Sequence, residues 1–297
     1  MCSCSVPDIG HQRPRPKIAV GPDGNLWFTG FAGTSGLIGK LTTAGVVTEF
    51  LLSGTAPFGI NAGPDGNLWF TEQAPLSSHH RNGLIGRFTT AGVVAGFSAS
   101  YAGIQLQGIA VGSDGNIWFT ESNGSDVGKI TLAGNTTSLI HVGRSTNGIT
   151  AGPDGNLWFT EPSSNKVGTI TTAGVVTEFA TPTGAAPFAI AAGPDGNLWF
   201  TEQSSNKIGR MTTAGVVTEF AIPTAVSVPE YIIAGHDGNL WFTEFSGNNI
   251  GRITIAGAIS EYALPTAGSY PFGIAAGPDG NLYFTEFYGT KIGKFTP

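Results

Sequence analysis

The stretch that decides the fold is GPDGNLWFTE, residues 193–202, followed by NKIGRMTTAGVVTEF, residues 206–220. Close variants of this pair recur seven times along the 297 residues. Their Asp-Gly steps begin at Asp23, Asp65, Asp114, Asp154, Asp195, Asp237 and Asp279. The period is therefore near 42 residues, with one longer spacing after the second repeat. Such a period indicates a repeat architecture in which each unit packs on its neighbours.

Each repeat contains four short segments with strand character. In the fifth repeat they cover residues 190–192, 198–202, 207–212 and 216–220. Pro-Asp-Gly and Thr-Ala-Gly supply the turn residues between them, with glycine where a positive φ is needed. Apolar residues alternate over about five positions, as in half-buried strands. Four strands per repeat predict an all-β fold, a seven-bladed β-propeller with four-stranded antiparallel blades.

The ends of the chain set the predicted domain boundaries. Residues 17–297 form a single propeller domain, and residues 1–16 form an irregular N-terminal tail that contains Pro7, Pro14 and Pro16. The seventh repeat stops after its third strand. We therefore expect either a three-stranded last blade or an irregular course of Ser3 to Ile9 along its edge.

One large aromatic residue occupies the same strand position in every repeat. Because it recurs at one position per blade, we expect it to pack between neighbouring blades. The seven residues are Trp27, Trp69, Trp118, Trp158, Trp199, Trp241 and Tyr283.

Composition and charge exclude several classes of partner. Only 11% of the residues are charged, the net charge is −6, and Lys and Arg recur singly, so nucleic acid is not expected. No apolar run of 18 residues is present, so no membrane partner is expected. Residues 1–20 carry no signal-peptide pattern, which predicts a cytoplasmic chain as given and leaves secretion open for a longer one. We expect a monomer.

A functional site is expected on the propeller face where the loops of all blades converge. The second strands end there in glutamates, namely Glu72, Glu121, Glu161, Glu202, Glu244 and Glu286. Each carboxylate could accept hydrogen bonds within its own blade. Alternatively, several could bind a hard cation such as Mg²⁺ or Ca²⁺ through oxygen ligands, with Glu244 and Glu286 as the candidate ligands.

The entrances of the first strands lie on the same face and differ between blades. They carry Phe58, Gln107, Asn147, Phe188, Glu230 and Phe272, and Tyr231 follows Glu230. An apolar ring with a few polar groups suits a small amphipathic molecule in the central funnel. The alternative is that the phenylalanines close the channel. Glu230 near Glu244 is expected to have a raised pKa from like-charge proximity.

An insertion after the second strand of blade two, residues 73–83, accounts for the one long spacing. It contains His79 and His80. If this loop lies over the funnel, these side chains would contact a ligand or supply a base or metal ligand. The alternative is a solvated loop.

The repeated GPDGNLWFTE and NKIGRITTAGVVTEF pattern resembles the streptogramin B lyase (virginiamycin B lyase-like) family over about residues 17–296. The resemblance implies a seven-bladed propeller that opens cyclic depsipeptide antibiotics by elimination. In that chemistry a base removes the proton α to a carbonyl, and Mg²⁺ helps to hold the substrate.

The resemblance also implies a Pro-His-x-Ile entrance in each of the last two blades. Here those entrances carry Glu230 and Phe272, while the family's acidic partner lies at or beside Glu286. His236 replaces proline in a turn on the opposite face. Two hypotheses follow: a ligand-binding propeller without the lyase chemistry, or a Mg²⁺-dependent C–O lyase in which Glu230 or the loop histidines act as base together with Glu286.

Overall fold

The computed structural model describes residues 2–5, 16–33, 35–53, 55–73, 82–102, 105–182, 184–288 and 291–297. They form seven four-stranded antiparallel sheets, which confirms the predicted seven-bladed propeller. The innermost strands contact one another in a closed ring around the axis. The helical content of the described residues is one 3₁₀ turn, Pro162–Ser164.

The strands of each blade run from the axis outward in chain order. Blade one holds β2 (Ile18–Val20), β3 (Leu26–Ala32), β4 (Ser35–Leu41) and β5 (Val47–Leu52). Blade two holds β6 (Pro57–Ala62), β7 (Leu68–Glu72), β8 (Asn82–Phe88) and β9 (Val94–Ala102). Blade three holds β10 (Leu106–Val111), β11 (Ile117–Glu121), β12 (Asp126–Ile130) and β13 (Thr136–His141). Blade four holds β14 (Ile149–Ala151), β15 (Leu157–Glu161), β16 (Lys166–Ile170) and β17 (Val176–Ala180).

The remaining three blades follow the same order. Blade five holds β18 (Pro187–Ala192), β19 (Leu198–Glu202), β20 (Lys207–Met211) and β21 (Val217–Ala221). Blade six holds β22 (Pro229–Ala234), β23 (Leu240–Glu244), β24 (Asn249–Ile253) and β25 (Ile259–Ala263). Blade seven holds β26 (Pro271–Ala276), β27 (Leu282–Glu286) and β28 (Lys291–Phe295), with β1 (Cys2–Ser5) outermost.

The expectation of an irregular tail is wrong for Cys2–Ser5. This segment pairs antiparallel with β28, with Ser3 opposite Gly293, and completes the last blade. The reason is the unpaired edge of β28, whose N–H and C=O groups gain partners when a strand is added. The two ends of the chain therefore close the propeller within one sheet.

The turn before each second strand is built on its aspartate. In blade five, Gly196 has a φ of +74°, and Asp195 accepts hydrogen bonds from Asn197 N and from Trp199 Nε1 at 3.0 Å. The same aspartate-to-ring bond recurs in all seven blades, with the hydroxyl of Tyr283 donating in the seventh. The turn thus orients the ring that enters the core.

The core consists of layers between blades. Trp199 of blade five is fully buried against Ile232, Leu240 and Phe242 of blade six. Trp158 packs in the same way between blades four and five. The prediction that these rings pack between blades is confirmed.

Candidate ligand site

A threonine in each second strand fixes the backbone at the entrance of the next blade. Thr201 Oγ1 accepts the N–H of Ala189 in its own blade at 3.0 Å and donates to the carbonyl of Glu230 in blade six at 2.8 Å. The set closes on itself, because Thr285 Oγ1 donates to the carbonyl of Pro16 in blade one at 2.8 Å. We call these residues the threonine ring: Thr29, Thr71, Thr120, Thr160, Thr201, Thr243 and Thr285.

The threonine ring acts on main-chain atoms alone. Gln107 and Asn147 each contribute a carbonyl to it, and Phe58 and Phe188 do the same. The entrance backbone is therefore held in the same way whatever side chain it carries. The bound carbonyls belong to residues that we call the entrance ring: Pro16, Phe58, Gln107, Asn147, Phe188, Glu230 and Phe272.

A cavity of about 160 Å³ lies on the axis, one residue further along the inner strands. Its wall is mainly isoleucine and inner-strand backbone, and Gly59, Gly108 and Gly148 bring neighbouring strands close together. A Cβ at Gly59 would lie 2.4 Å from the carbonyl oxygen of Gln107. The inner strands of blades two to four therefore lie close together, and glycine backbone and isoleucine side chains line the cavity there.

Two large side chains stand at this glycine position in other blades. Lys17 occupies it in blade one and Tyr231 in blade six, and both line the cavity. Lys17 Nζ lies 4.5 Å from the ring centroid of Tyr231 and 4.6 Å from that of Phe58. Burial lowers the pKa of Lys17 to about 7, and the charge of Glu230 opposes that shift.

Sequence reasoning missed Lys17. Its signal is present in the sequence, because Lys17 precedes Ile18 as Gly59 precedes Ile60. Because Lys17 stands directly after the proline-rich tail, its place in the repeat becomes visible only when the first inner strand is aligned with those of the other blades.

The predicted aromatic residues come together on the side of blades five to seven. Tyr231 lies 4.8 Å from Phe272 and 5.9 Å from Phe188 between ring centroids, and Phe272 lies 6.4 Å from Phe245. Phe58, in blade two, lies beside Lys17, so four predicted ligand residues are linked through Tyr231 and Lys17. Their contact with a ligand stays a prediction. Gln107 is half-buried and Asn147 is buried in blades three and four. Their side-chain contact with a ligand stays a prediction.

Glu230 is buried and directly precedes Tyr231. Its Oε2 accepts a hydrogen bond from Gln203 Nε2 at 2.6 Å. A neighbouring charge that acts on Glu244 is that of Glu261. The raised pKa expected for Glu230 stays a prediction. Burial raises the pKa of Glu244 to about 8, a hydrogen bond from Asn249 opposes the shift, and the charge of Glu261 adds to it.

The other second-strand glutamates are buried one by one between blades. Glu161 accepts a hydrogen bond from Ser164 at 2.8 Å, and Glu202 accepts one from Ser205 at 2.7 Å. Burial raises the pKa of both to about 7. These bonds are the local ones expected if each carboxylate serves its own blade.

A divalent cation such as Mg²⁺ needs several oxygen ligands at one point. Glu286 Oε2 and Glu244 Oε1 are buried without a hydrogen-bond partner among the described residues. However, no three His, Cys, Asp or Glu side chains of those residues form a group that could hold a metal ion. A preformed cage is therefore lacking there, and Mg²⁺ binding at Glu244 and Glu286 stays a prediction.

The described histidines lie away from the entrances. His141 is exposed and pairs with Asp126, and His236 contacts the carbonyl of Gly277 in the turn on the opposite face. His79 and His80 lie outside the described residues. The described part of the chain also contains no helix long and apolar enough to cross a membrane.

Comparisons with known proteins agree with this architecture. The model of the Virginiamycin B lyase family matches residues 8–141 and 139–297. Virginiamycin B lyase from Staphylococcus aureus, as the selenomethionine protein, is 35% identical with a TM-score of 0.89, over 100% of this chain and 98% of that one. A catalytically inactive histidine variant of that enzyme with quinupristin is 37% identical with a TM-score of 0.87, over 98% and 97%.

A streptogramin B lyase structure is likewise 35% identical, with a TM-score of 0.85 over 98% of this chain and 97% of that one. No curated protein sequence matches the chain significantly.

Proposed function

Since the chain belongs to the virginiamycin B lyase family, we propose that it is a ligand-binding propeller in which the depsipeptide lyase chemistry has been lost. The ligand is a small amphipathic molecule that enters the funnel at the entrance ring.

The observation that supports this proposal is the pair of residues at the last two entrances. Phe272 is fully buried and packs against Tyr231 and Phe245. Phenylalanine cannot transfer a proton. Glu230 is also buried, and its carboxylate is hydrogen-bonded to Gln203. Neither residue supplies the imidazole that the family resemblance implies at these positions, and loss of a general base costs about 10²–10⁴-fold in rate.

The same residues favour binding of an amphipathic molecule. Tyr231 and Phe188 are half-buried and offer apolar faces, with Phe272 and Phe58 packed behind or beside them. The half-buried Gln203, which is bonded to the buried Glu230, adds a polar edge. Pockets for small molecules combine mainly apolar walls with a few placed polar groups.

The test is incubation of the unmodified chain with quinupristin and Mg²⁺. Chromatography follows loss of the cyclic antibiotic, and mass spectrometry separates elimination from hydrolysis. The S. aureus lyase, assayed in parallel, should linearise the compound. We expect the present chain to leave it intact. Turnover near the rate of that enzyme would overturn the proposal and direct attention to Glu230, Glu286 and the His79-His80 loop.

A further inference from the structure

Lys17 differs from the other described lysines in its surroundings. Its side chain lines the central cavity, and its amine lies near two aromatic rings, Phe58 and Tyr231. It is not among the lysines that pair with a carboxylate in the described residues, which are Lys40, Lys129, Lys166, Lys207 and Lys294. A lysine needed only for stability is usually placed at the surface or in an ion pair.

The backbone at Lys17 is held rigidly. Its N–H donates to Thr29 Oγ1 at 3.0 Å, and the preceding carbonyl, that of Pro16, accepts from Thr285. Two members of the threonine ring therefore fix the backbone that carries the amine. Among the described residues, Glu230 is the charged group that acts on it and Tyr231 is the titratable group beside it.

The cavity has room for a small organic molecule. It measures about 160 Å³, and cavities of roughly 150 Å³ in other proteins hold benzene. Its wall includes Ile18, Ile60 and Ile232, so a ligand there is surrounded mainly by hydrocarbon. Desolvation in an apolar pocket is one of the ways in which proteins activate a lysine amine as a nucleophile.

We propose that Lys17 is a nucleophilic amine that condenses with small aldehydes or ketones in the central cavity. The Nζ lone pair forms a C–N bond to the carbonyl carbon, and the carbonyl oxygen takes up a proton to give a carbinolamine. Loss of that hydroxyl together with a nitrogen proton, as water, leaves an imine. No electrons are exchanged with another reactant. The inference shares with the proposed function only the funnel as the ligand site.

The experiment is reductive trapping in the intact chain. The protein is treated with propanal and cyanoborohydride at pH 7, and alkylated lysines are quantified by peptide mass mapping. An amine with a pKa of about 7 is about half neutral at this pH, whereas an ordinary lysine with a pKa of about 10.4 is less than 0.1% neutral. Allowing for the weaker nucleophilicity of the less basic amine, we expect Lys17 to react about 10²-fold faster than Lys40.

The matched control is Lys17→Met, which keeps the chain length and removes the amine. It should abolish the fast reaction and leave the other lysines unchanged. The parent alone also decides the matter, because its Lys17 rate should level off above about pH 7, whereas the rate of an ordinary lysine with a pKa of about 10.4 does not. Pyrene carboxaldehyde, which exceeds the cavity, should lose the preference.

Alkylation of Lys17 at or below the rate of Lys40 would overturn the inference. That result would not touch the proposed function, which depends on quinupristin remaining intact. Conversely, quinupristin turnover with selective Lys17 trapping would overturn the proposed function and leave this inference standing.

Discussion

The threonine ring and the entrance ring lie side by side and differ in kind. Every blade has threonine in the first, and each hydroxyl bonds the next blade's entrance carbonyl. The second carries proline, phenylalanine, glutamine, asparagine and glutamate. The threonine ring holds the backbone of the entrance ring in every blade, whichever side chain that position carries. Residues that recur in every blade build the propeller, and residues that differ between blades are the candidates for its function.

The two carboxyl groups of the repeat, the turn aspartate and the glutamate at the end of the second strand, differ in the direction of their pKa shifts. At Asp23, burial acts to raise the pKa, but hydrogen bonds from Lys40, Trp27 and Asn25 outweigh it and hold the pKa well below its usual range. At Glu121, burial raises the pKa to about 7, and the charge of Asp126 adds to the shift. The turn carboxylate is thus stabilised as an anion, and the strand-end carboxyl is stabilised with its proton.

The largest expected effect on stability comes from truncating the aromatic side chain that packs between blades. Trp158→Ala should lower the free energy of unfolding by about 3–5 kcal/mol, because it removes a fully buried side chain from the layer between blades four and five. Urea midpoints measure the change. The control Val175→Ala, at a position that is 63% exposed, should stay near the parent. An unchanged midpoint for Trp158→Ala would rule out inter-blade packing as its role.

The next effect concerns the threonine ring itself. Thr201→Val keeps the shape and should cost about 1–3 kcal/mol, because the N–H of Ala189 and the carbonyl of Glu230 lose their shared partner. Thr218→Val, on the exposed outer strand of the same blade, should change stability by less than about 0.5 kcal/mol. Equal midpoints for the two variants would remove the basis for treating the ring as a fixed frame.

A smaller effect should appear as a change in pH dependence. The pKa of Glu121 rises from 4.5 to about 7 on folding, so the stability it contributes is fully present below about pH 4.5 and is lost as the pH rises through about 7. Glu121→Gln mimics the protonated form. It should raise the unfolding free energy by roughly 1–2 kcal/mol at pH 8 and change it little at pH 4. Chemical unfolding at both pH values measures this, and a gain of equal size at both would contradict it.

The smallest effect is expected in the entrance ring. Gln107→Ala should alter stability by less than about 0.5 kcal/mol, because its carbonyl, not its half-buried side chain, bonds Thr71. Thermal unfolding provides the measurement. A loss of stability comparable with that of Thr201→Val would show that the side chains of the entrance ring are structural too.

The fold was predictable because each local signal repeats. Residues 198–202 were predicted as a strand and match β19, whereas β18 begins at Pro187, three residues before the predicted start. The bulge between Pro187 and Ile190 explains the difference, since the strand pairs again beyond an irregular step. The strand at Cys2–Ser5 could not be predicted from local propensity, because the open edge of β28 creates it.

The site was predictable only in part. The entrance positions of Phe58, Phe188 and Phe272, with Tyr231 after Glu230, followed from the motif, and these rings lie close to one another or to Lys17. Their contact with a ligand stays a prediction. The role of the repeated threonine could not be inferred, because its second partner belongs to another blade. Lys17 was missed for a related reason. Its neighbours Phe58 and Tyr231 belong to blades two and six, and closure of the propeller brings them to it.

The central claim is that the entrance side chains, and not the shared scaffold, decide the chemistry. The most direct measurement compares quinupristin linearisation by the parent and by the double variant Glu230→His with Phe272→His, in the presence of Mg²⁺. We expect the parent to remain at background and the double variant to be at least about 10²-fold faster, because a general base contributes about that much. A parent that linearises the antibiotic within about tenfold of the variant would contradict the claim.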